Sequence, residues 1–421
     1  MSLRTVTSSD FTCTARQAIL RLIAFCTSAI PLVCHAGLGL HLSEADDDSV
    51  RISLTEPQAT ISCMRDGSEL FNPATGVRKL TEGHYEQRLD SEASDYAVYL
   101  KAARMGGGIY MYLPYFVPVG HCRDAEFEVS ARHILWNGRW HAGNVRIHAS
   151  AVRGKSLFFT NEAAPHIAGA SYLDAAIPEP MRSRIGAAFD SIAGFYRDTL
   201  HVDALHGTGV VAAIVRNDGG YTGFGGDATS IIRMSVDNPR PSDLAALDRT
   251  FAATFAHELA HKLQSERLFA RPFARYIVEG GADFMKLVVL RSAALIDDDQ
   301  ARRLVRKAVA DCAHAADHRS MAEKLAQQAV APREPYDCGM MYYAVAYYAS
   351  GLSPEDFISA FRAAMSGDGS GPLAACLLFE TTCTDPRLAG VAAGRSRFLE
   401  QAGWLEAQLS SRPLPVLRAG D

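Results

Sequence analysis

Beyond residue 36 the sequence lacks any apolar run approaching the roughly 20 residues that span a bilayer, so no membrane-crossing helix is expected in the body of the chain. No internal repeat or low-complexity run is visible, which removes repeat and fibrous architectures from consideration. Basic charge is in short supply too, with 42 Lys and Arg against 47 Asp and Glu. Charged residues make up 21% and apolar residues 48%, an ordinary globular balance that leaves no ground for large-scale disorder. A chain of 421 residues has room for two or three domains.

The first 36 residues differ from the rest. Arg4, Arg16 and Arg21 are their basic residues, an apolar run extends from Ala18 to Val33 around Arg21, and Cys34-His35-Ala36 precedes Gly37, with small residues where a signal peptidase reads. Residues 1–36 are therefore expected to be a signal peptide and the mature chain to be exported, periplasmic or extracellular, without stable membrane insertion after cleavage. Cleavage takes away three basic residues and one acidic one, changing 42 against 47 into 39 against 46, a net charge of −7. That balance disfavours nucleic acid as a partner. Six cysteines remain, and an even number in an exported chain favours disulfides. Sequence does not choose among the possible pairings; the simplest keeps partners local, Cys63 with Cys122, Cys312 with Cys338, and Cys376 with Cys383.

Periodicity divides the remainder of the chain. From about Val50 to Phe159, short alternating segments (VRISL, DYAVYL, IYMYLPYFV, EFEVSARHILW, VRIHASAV) predict an antiparallel sheet domain, residues 37–160. Asn161 to Pro180, with three prolines, reads as a link. Pro180 to Leu200 then carries apolar residues at helical spacing, and GVVAAIVR and SIIRMSV read as strands. Pro241-Ser242-Asp243 reads as a helix start capped by Ser242, with the helix running to about Glu266. From Phe273 onward the chain is mostly helical. These expectations amount to an α+β fold: a catalytic subdomain over residues 161–285 and a helical lobe over 286–421.

Inside the helix that begins near Ser242 lies His257-Glu258-Leu259-Ala260-His261. Four-residue spacing places both imidazoles on one face, one turn apart, where they can share a zinc ion. Glu258 would then project beside the metal, placed to take a proton from water that the ion acidifies. A third ligand is needed, and Glu279, in YIVEGGADF, can supply it from a second helix. Asp283, one turn beyond Glu279, suits the outer layer of the site, accepting the free ring N–H of a zinc histidine, His257, and fixing its tautomer. Gly280 and Gly281 each cost about 1 kcal/mol in a helix relative to Ala, which suggests that backbone or substrate comes close there. His314 and His318 also have helical spacing, but no acid stands beside the first, and they read as a solvated face.

This pattern resembles the gluzincin metallopeptidases, and among them the aminopeptidase-N-like family, in which a His-Glu-x-x-His helix is followed by a zinc-binding Glu in a Glu-Gly-x-Ala context. The glutamate-to-aspartate spacing also resembles the thermolysin branch. Pro335-Tyr336-Asp337-Cys338-Gly339 is similar to that family's Tyr-x-Lys-Gly element, and the helix after it and GLSPEDFISAFRAAM are similar as well. The resemblance covers about Pro180 to Met365. It implies a thermolysin-like catalytic domain, one zinc ion on His257, His261 and Glu279, Glu258 as catalytic base, a hydrogen bond from Tyr336 to the oxyanion, and a peptide or protein substrate. Gly219, Gly220, Tyr221 and Gly223 of GGYTGFGG would line the substrate cleft, as an exposed strand edge often does.

The chain departs from the family in three places. The interval between His261 and Glu279 is one residue shorter than usual, Cys338 stands where the family has lysine, and GGYTGFGG holds no counterpart of the glutamate that binds a substrate's free amine. Asp218 and Asp227 are the nearest substitutes. Aminopeptidase and endopeptidase therefore both stay open, and so does a different class, a binding or scaffold protein that keeps the zinc fold without turnover.

Overall fold

The structure, a computed structural model, describes residues 38–45, 49–54, 69–89, 101–203, 205–216, 223–316, 319–392 and 398–417. The expected signal peptide, the DYAVYL strand, Cys63, Asp218 and His318 lie outside the described residues. Nine strands form the first sheet: β1 (Leu38–Ala45), β2 (Ser49–Leu54), β3 (Arg78–Thr81), β4 (His84–Arg88), β5 (Ala102–Met105), β6 (Gly108–Tyr112), β7 (Ala125–Trp136), β8 (Arg139–His148) and β9 (Ser156–Thr160). Their order is β3-β4-β2-β1-β7-β9-β6-β5, with β8 also paired to β7. Pairing is antiparallel except between β1 and β7, where the strands run parallel. Two expected strands stop early. Pro114 has no N–H to give a ladder, so β6 ends at Tyr112 and a 3-10 turn takes Leu113–Phe116, while β8 gives way to a turn at Ala149–Ala151.

A second sheet stacks against the first. Its strands are β10 (His166–Ala168), β11 (Ser171–Leu173), β12 (Gly209–Val215), β13 (Gly223–Ala228) and β14 (Ile231–Asp237), in the order β10-β11-β12-β14-β13. The stretch expected to be a link thus contributes two strands. Val211, Ala213 and Ile231 face Tyr110, Leu135 and Phe158 of the first sheet. The alternate residues Val210, Ala212, Ile214, Ile232, Met234 and Val236 face a core shared with helices. Period-two alternation in strands buried on both faces gives the unbroken apolar runs seen in the sequence.

The helices that complete this core are α1 (Glu179–Asp198), α2 (Leu247–Ala260), α3 (Ala274–Ser292), α4 (Asp298–Ala316), α5 (Glu334–Ser350), α6 (Pro354–Ser366) and α7 (Phe398–Ser411), with short helical turns between some of them. In α1, Ile185, Phe189, Ile192 and Tyr196 recur at helical spacing and are buried. The helix expected from Ser242 to Glu266 is broken. A short turn, Pro241–Leu244, is capped by the Asp243 carboxylate, which accepts the Arg240 N–H at 2.9 Å, and Ser242 sits inside that turn. The principal helix starts at Leu247 and tightens into a 3-10 turn over His261–Leu263, because Gln264 leaves helical geometry with its side chain engaged elsewhere. Disulfides join Cys312 to Cys338, tying α4 to α5, and Cys376 to Cys383, both as the local pairing scheme expects, and they fit an exported protein. Among the described residues no helix is long and apolar enough to cross a membrane.

Candidate metal centre

The helix α2 turns Phe251, Phe255 and Leu259 into the core, and the same rotation leaves His257 and His261 together on the flank facing α3. Their Nε2 atoms lie 3.2 Å apart. Glu279 Oε2, from α3, is 3.4 Å from the first and 3.7 Å from the second. These three are the described residues whose donor atoms converge in this way, all within 4.8 Å of one another.

The outer layer decides what such a cluster can hold. His257 Nδ1 lies 2.6 Å from Asp283 Oδ1, and a carboxylate there can only accept, so Nδ1 carries a proton and Nε2 is the ring atom that faces the cluster. His261 Nδ1 lies 2.8 Å from Gln264 Oε1. The Gln264 amide cannot be flipped without loss, because its Nε2 donates to the Val278 carbonyl at 2.7 Å. His261 therefore aims a lone pair inward. Two ring nitrogens and a carboxylate oxygen facing one another suit a cation, which would take the place of the proton that His257 Nε2 shares with Glu279. Tetrahedral zinc with bonds of about 2.1 Å separates its ligand atoms by about 3.4 Å, close to the spacings found. The donor set, two imidazoles and one carboxylate, fits zinc.

The electrostatics agree with a single positive charge at this spot. Burial opposes charge on both rings. At His257 the hydrogen bonds to Asp283 and Glu279 outweigh it and hold the pKa up at about 9, whereas burial and the His257 charge push His261 down. Burial would also lift Glu279, but the His257 hydrogen bond and both ring charges bring it below the usual carboxylate range. Asp283 is 3% exposed, bonded to Lys286 Nζ at 2.5 Å and 3.9 Å from Arg333, and although burial opposes its charge, Lys286 and His257 hold it ionised far below an ordinary aspartate. Replacing Asp283 by Asn or Ala should weaken zinc binding about 10–100-fold, measured by competition with a chromophoric chelator, because the His257 tautomer is no longer fixed.

The double glycine has a concrete explanation. A Cβ on Gly280 would lie 2.3 Å from the Gly339 Cα, and one on Gly339 would lie 2.6 Å from the Gly280 Cα, so α3 and α5 touch backbone to backbone. Gly281 is less constrained, with Phe361, Gln264 and Met365 at ordinary contact distance. This crossing brings the first turn of α5, and with it Tyr336, to the cluster. The Tyr336 hydroxyl donates to Glu279, and its ring stacks on His257 with centroids 5.7 Å apart. The Arg333 guanidinium covers the other ring face at 4.5 Å. Gly280→Ala should cost about 1–3 kcal/mol of stability in denaturant unfolding by forcing the two backbones apart.

Glu258, next to His257 on α2, faces β13, and its charge reaches His257, Glu279 and Tyr336. It is 6% exposed and lies under β13, where a Cβ on Gly226 would come within 2.6 Å of its Oε1. Burial lifts its carboxyl to about 7, with the His257 charge pulling down and Asp227 and Glu279 pushing up. Strand β13 ends the second sheet, so among the described residues its outer edge has no strand partner. Phe224, two residues from Gly226 and on the same face, is 60% exposed. Of the residues expected to line a cleft, Gly223 opens β13; Gly219, Gly220 and Tyr221 lie outside the described residues. Asp227 does not reach this face. Its carboxylate is paired with Arg233, against Tyr110 and between the sheets, so it is not placed to hold a substrate amine.

Gln264 and Arg333 carry no motif signal, and Gly339 showed only as the last residue of the Tyr336 element. Gln264 falls on the same side as His261 only because the chain tightens to three residues per turn there. Arg333 and Gly339 act through α5, whose place beside α3 follows from the Gly280 contact. Their local cues were the glutamine three residues after His261 and the glycine three after Tyr336. Compared with models of protein families the chain matches none, and no curated protein matches it.

Proposed function

We propose that this protein is a zinc-dependent peptidase that hydrolyses peptide bonds in exported or external substrates. The observation that carries the reading is the orientation of the cluster: two Nε2 atoms and a carboxylate oxygen converge, each imidazole fixed through Nδ1 by a separate acceptor. Zinc held by His257, His261 and Glu279 supplies Lewis acidity, polarising a carbonyl and lowering the pKa of water. The thermolysin-like description of the catalytic part belongs to the same proposal.

The chain's own groups take the remaining roles. Glu258, buried and with its carboxyl lifted, accepts a proton beside the cluster and later returns it to the departing amine. Tyr336 turns its hydroxyl from Glu279 to the carbonyl oxygen as that oxygen gains charge, while its ring stays held between His257 and Arg333. The free edge of β13 pairs with an extended substrate backbone, and Phe224 offers an apolar contact beside it. Among the described residues Asp227 does not reach that face to hold a free amine, and removal of N-terminal residues and cleavage within chains both stay open.

The purified protein should contain about one equivalent of zinc and cleave peptides, with activity removed by a chelator and restored by zinc. Zinc content without any cleavage would replace the peptidase reading by a metal-stabilised binding protein. Absence of zinc binding would end both.

A further inference from the structure

Away from the metal cluster, a cavity of about 340 Å3 opens where the turn before β9, the loop before β12 and the end of α2 meet. Lys155 and Lys262 both line it, each half-buried. The Lys262 ammonium donates to the Thr229 carbonyl just beyond β13. Neither lysine has a carboxylate ion-pair partner among the described residues. The one acid on the wall, Asp203, is well exposed and lies 3.6 Å from His206, and Asp227 is taken up by Arg233. The floor is polar, with Thr208 and Ser230 buried there. Two ammonium groups lining one concave site, neither in an ion pair with a carboxylate among the described residues, are an arrangement that a bound anion complements.

We propose that this cavity binds a small oxyanion, a carboxylate or a phosphate, through Lys155 and Lys262. The site is separate from the zinc cluster in its chemistry, yet it is joined to it through the chain: Lys262 follows His261 directly and anchors that turn to the end of β13. Helical spacing sets Glu258 and Lys262 one turn apart on the side of α2 that faces β13, the first near Gly226 and the second at Thr229. An acidic side chain of a polypeptide lying along β13 could enter the cavity, as could a free phosphate. Anion binding at the two lysines does not require that the protein hydrolyse peptides.

The test is calorimetric titration of the full mature chain with inorganic phosphate and with succinate, each at constant ionic strength set by chloride. Saturable binding of at least one is expected, weakened tenfold or more by Lys155→Ala and largely retained by Lys155→Arg. Lys155 lies on a surface turn outside the zinc site, so zinc content and the thermal midpoint without anion should be unchanged in both variants. Tighter binding of phosphate identifies a phosphate ligand, and tighter binding of succinate a carboxylate. No saturable heat with either anion, or equal affinity in Lys155→Ala, would overturn the proposal. A failure of peptidase assays would leave this result untouched.

Discussion

Replacing Glu258 by Gln should lower peptide hydrolysis by about 100- to 10,000-fold while the zinc content stays at that of the unaltered protein. Gln keeps the shape of the side chain under Gly226 but cannot take a proton. Glu258 is not among the three groups whose donor atoms converge, and it faces β13 rather than Glu279, so its loss should not loosen the metal. Metal analysis and turnover measured on the same preparation separate the two effects. Undiminished turnover would remove Glu258 from the chemistry, and lost zinc would mean that it supports the cluster instead. His261→Ala provides the contrast, because it removes a ligand and should lower metal content and activity together.

The site was legible where chemistry depends on local spacing. His257, Glu258 and His261 are tied by helix geometry, and Asp283 follows Glu279 by one turn of α3, so these groups needed only two helices to be placed. What joins those helices was not written locally. The unusual cost of two adjacent glycines pointed to a close approach, but its partner, Gly339, lies 59 residues from Gly280, in an element with Tyr336 that says nothing of that pairing. Gln264 was hidden for the opposite reason. Reading the helix through to Glu266 assumed a uniform 3.6-residue turn, and a 3-10 turn at His261–Leu263 rotates the next residues to a different side.

The fold shows the same division. Apolar runs such as GVVAAIVR and SIIRMSV announce strands buried on both faces, and they are β12 and β14. The strands β10 and β11 are three residues each, too short to show a period, and they lie among the prolines that suggested a link. Strand order is likewise non-local: β1 pairs in parallel with β7 across more than eighty residues of sequence, which alternation alone does not encode.

The buried pair formed by Lys324 and Glu334 should be the costliest single point in the helical part to disturb. Their side chains are 2% and 1% exposed, and the Lys324 ammonium donates to the Glu334 carboxylate and to the Ala315 carbonyl. Glu334 also accepts the Tyr276 hydroxyl at 2.7 Å. Lys324→Met removes the cation in contact with a carboxylate that has no route to water, and should cost about 3–5 kcal/mol in denaturant unfolding. Adding Glu334→Gln should recover most of that loss, since a neutral amide needs no countercharge. A single-variant cost under about 1 kcal/mol would show that the pair carries no net electrostatic load. The position of the pair ties stability to chemistry. Tyr276 lies three residues before Glu279 on α3, and Glu334 two before Tyr336 on α5, so this contact fixes the two helix segments that bring Glu279 and Tyr336 together. In Lys324→Met, zinc affinity and turnover should therefore fall even under conditions where the variant remains folded, and both should return in the double variant.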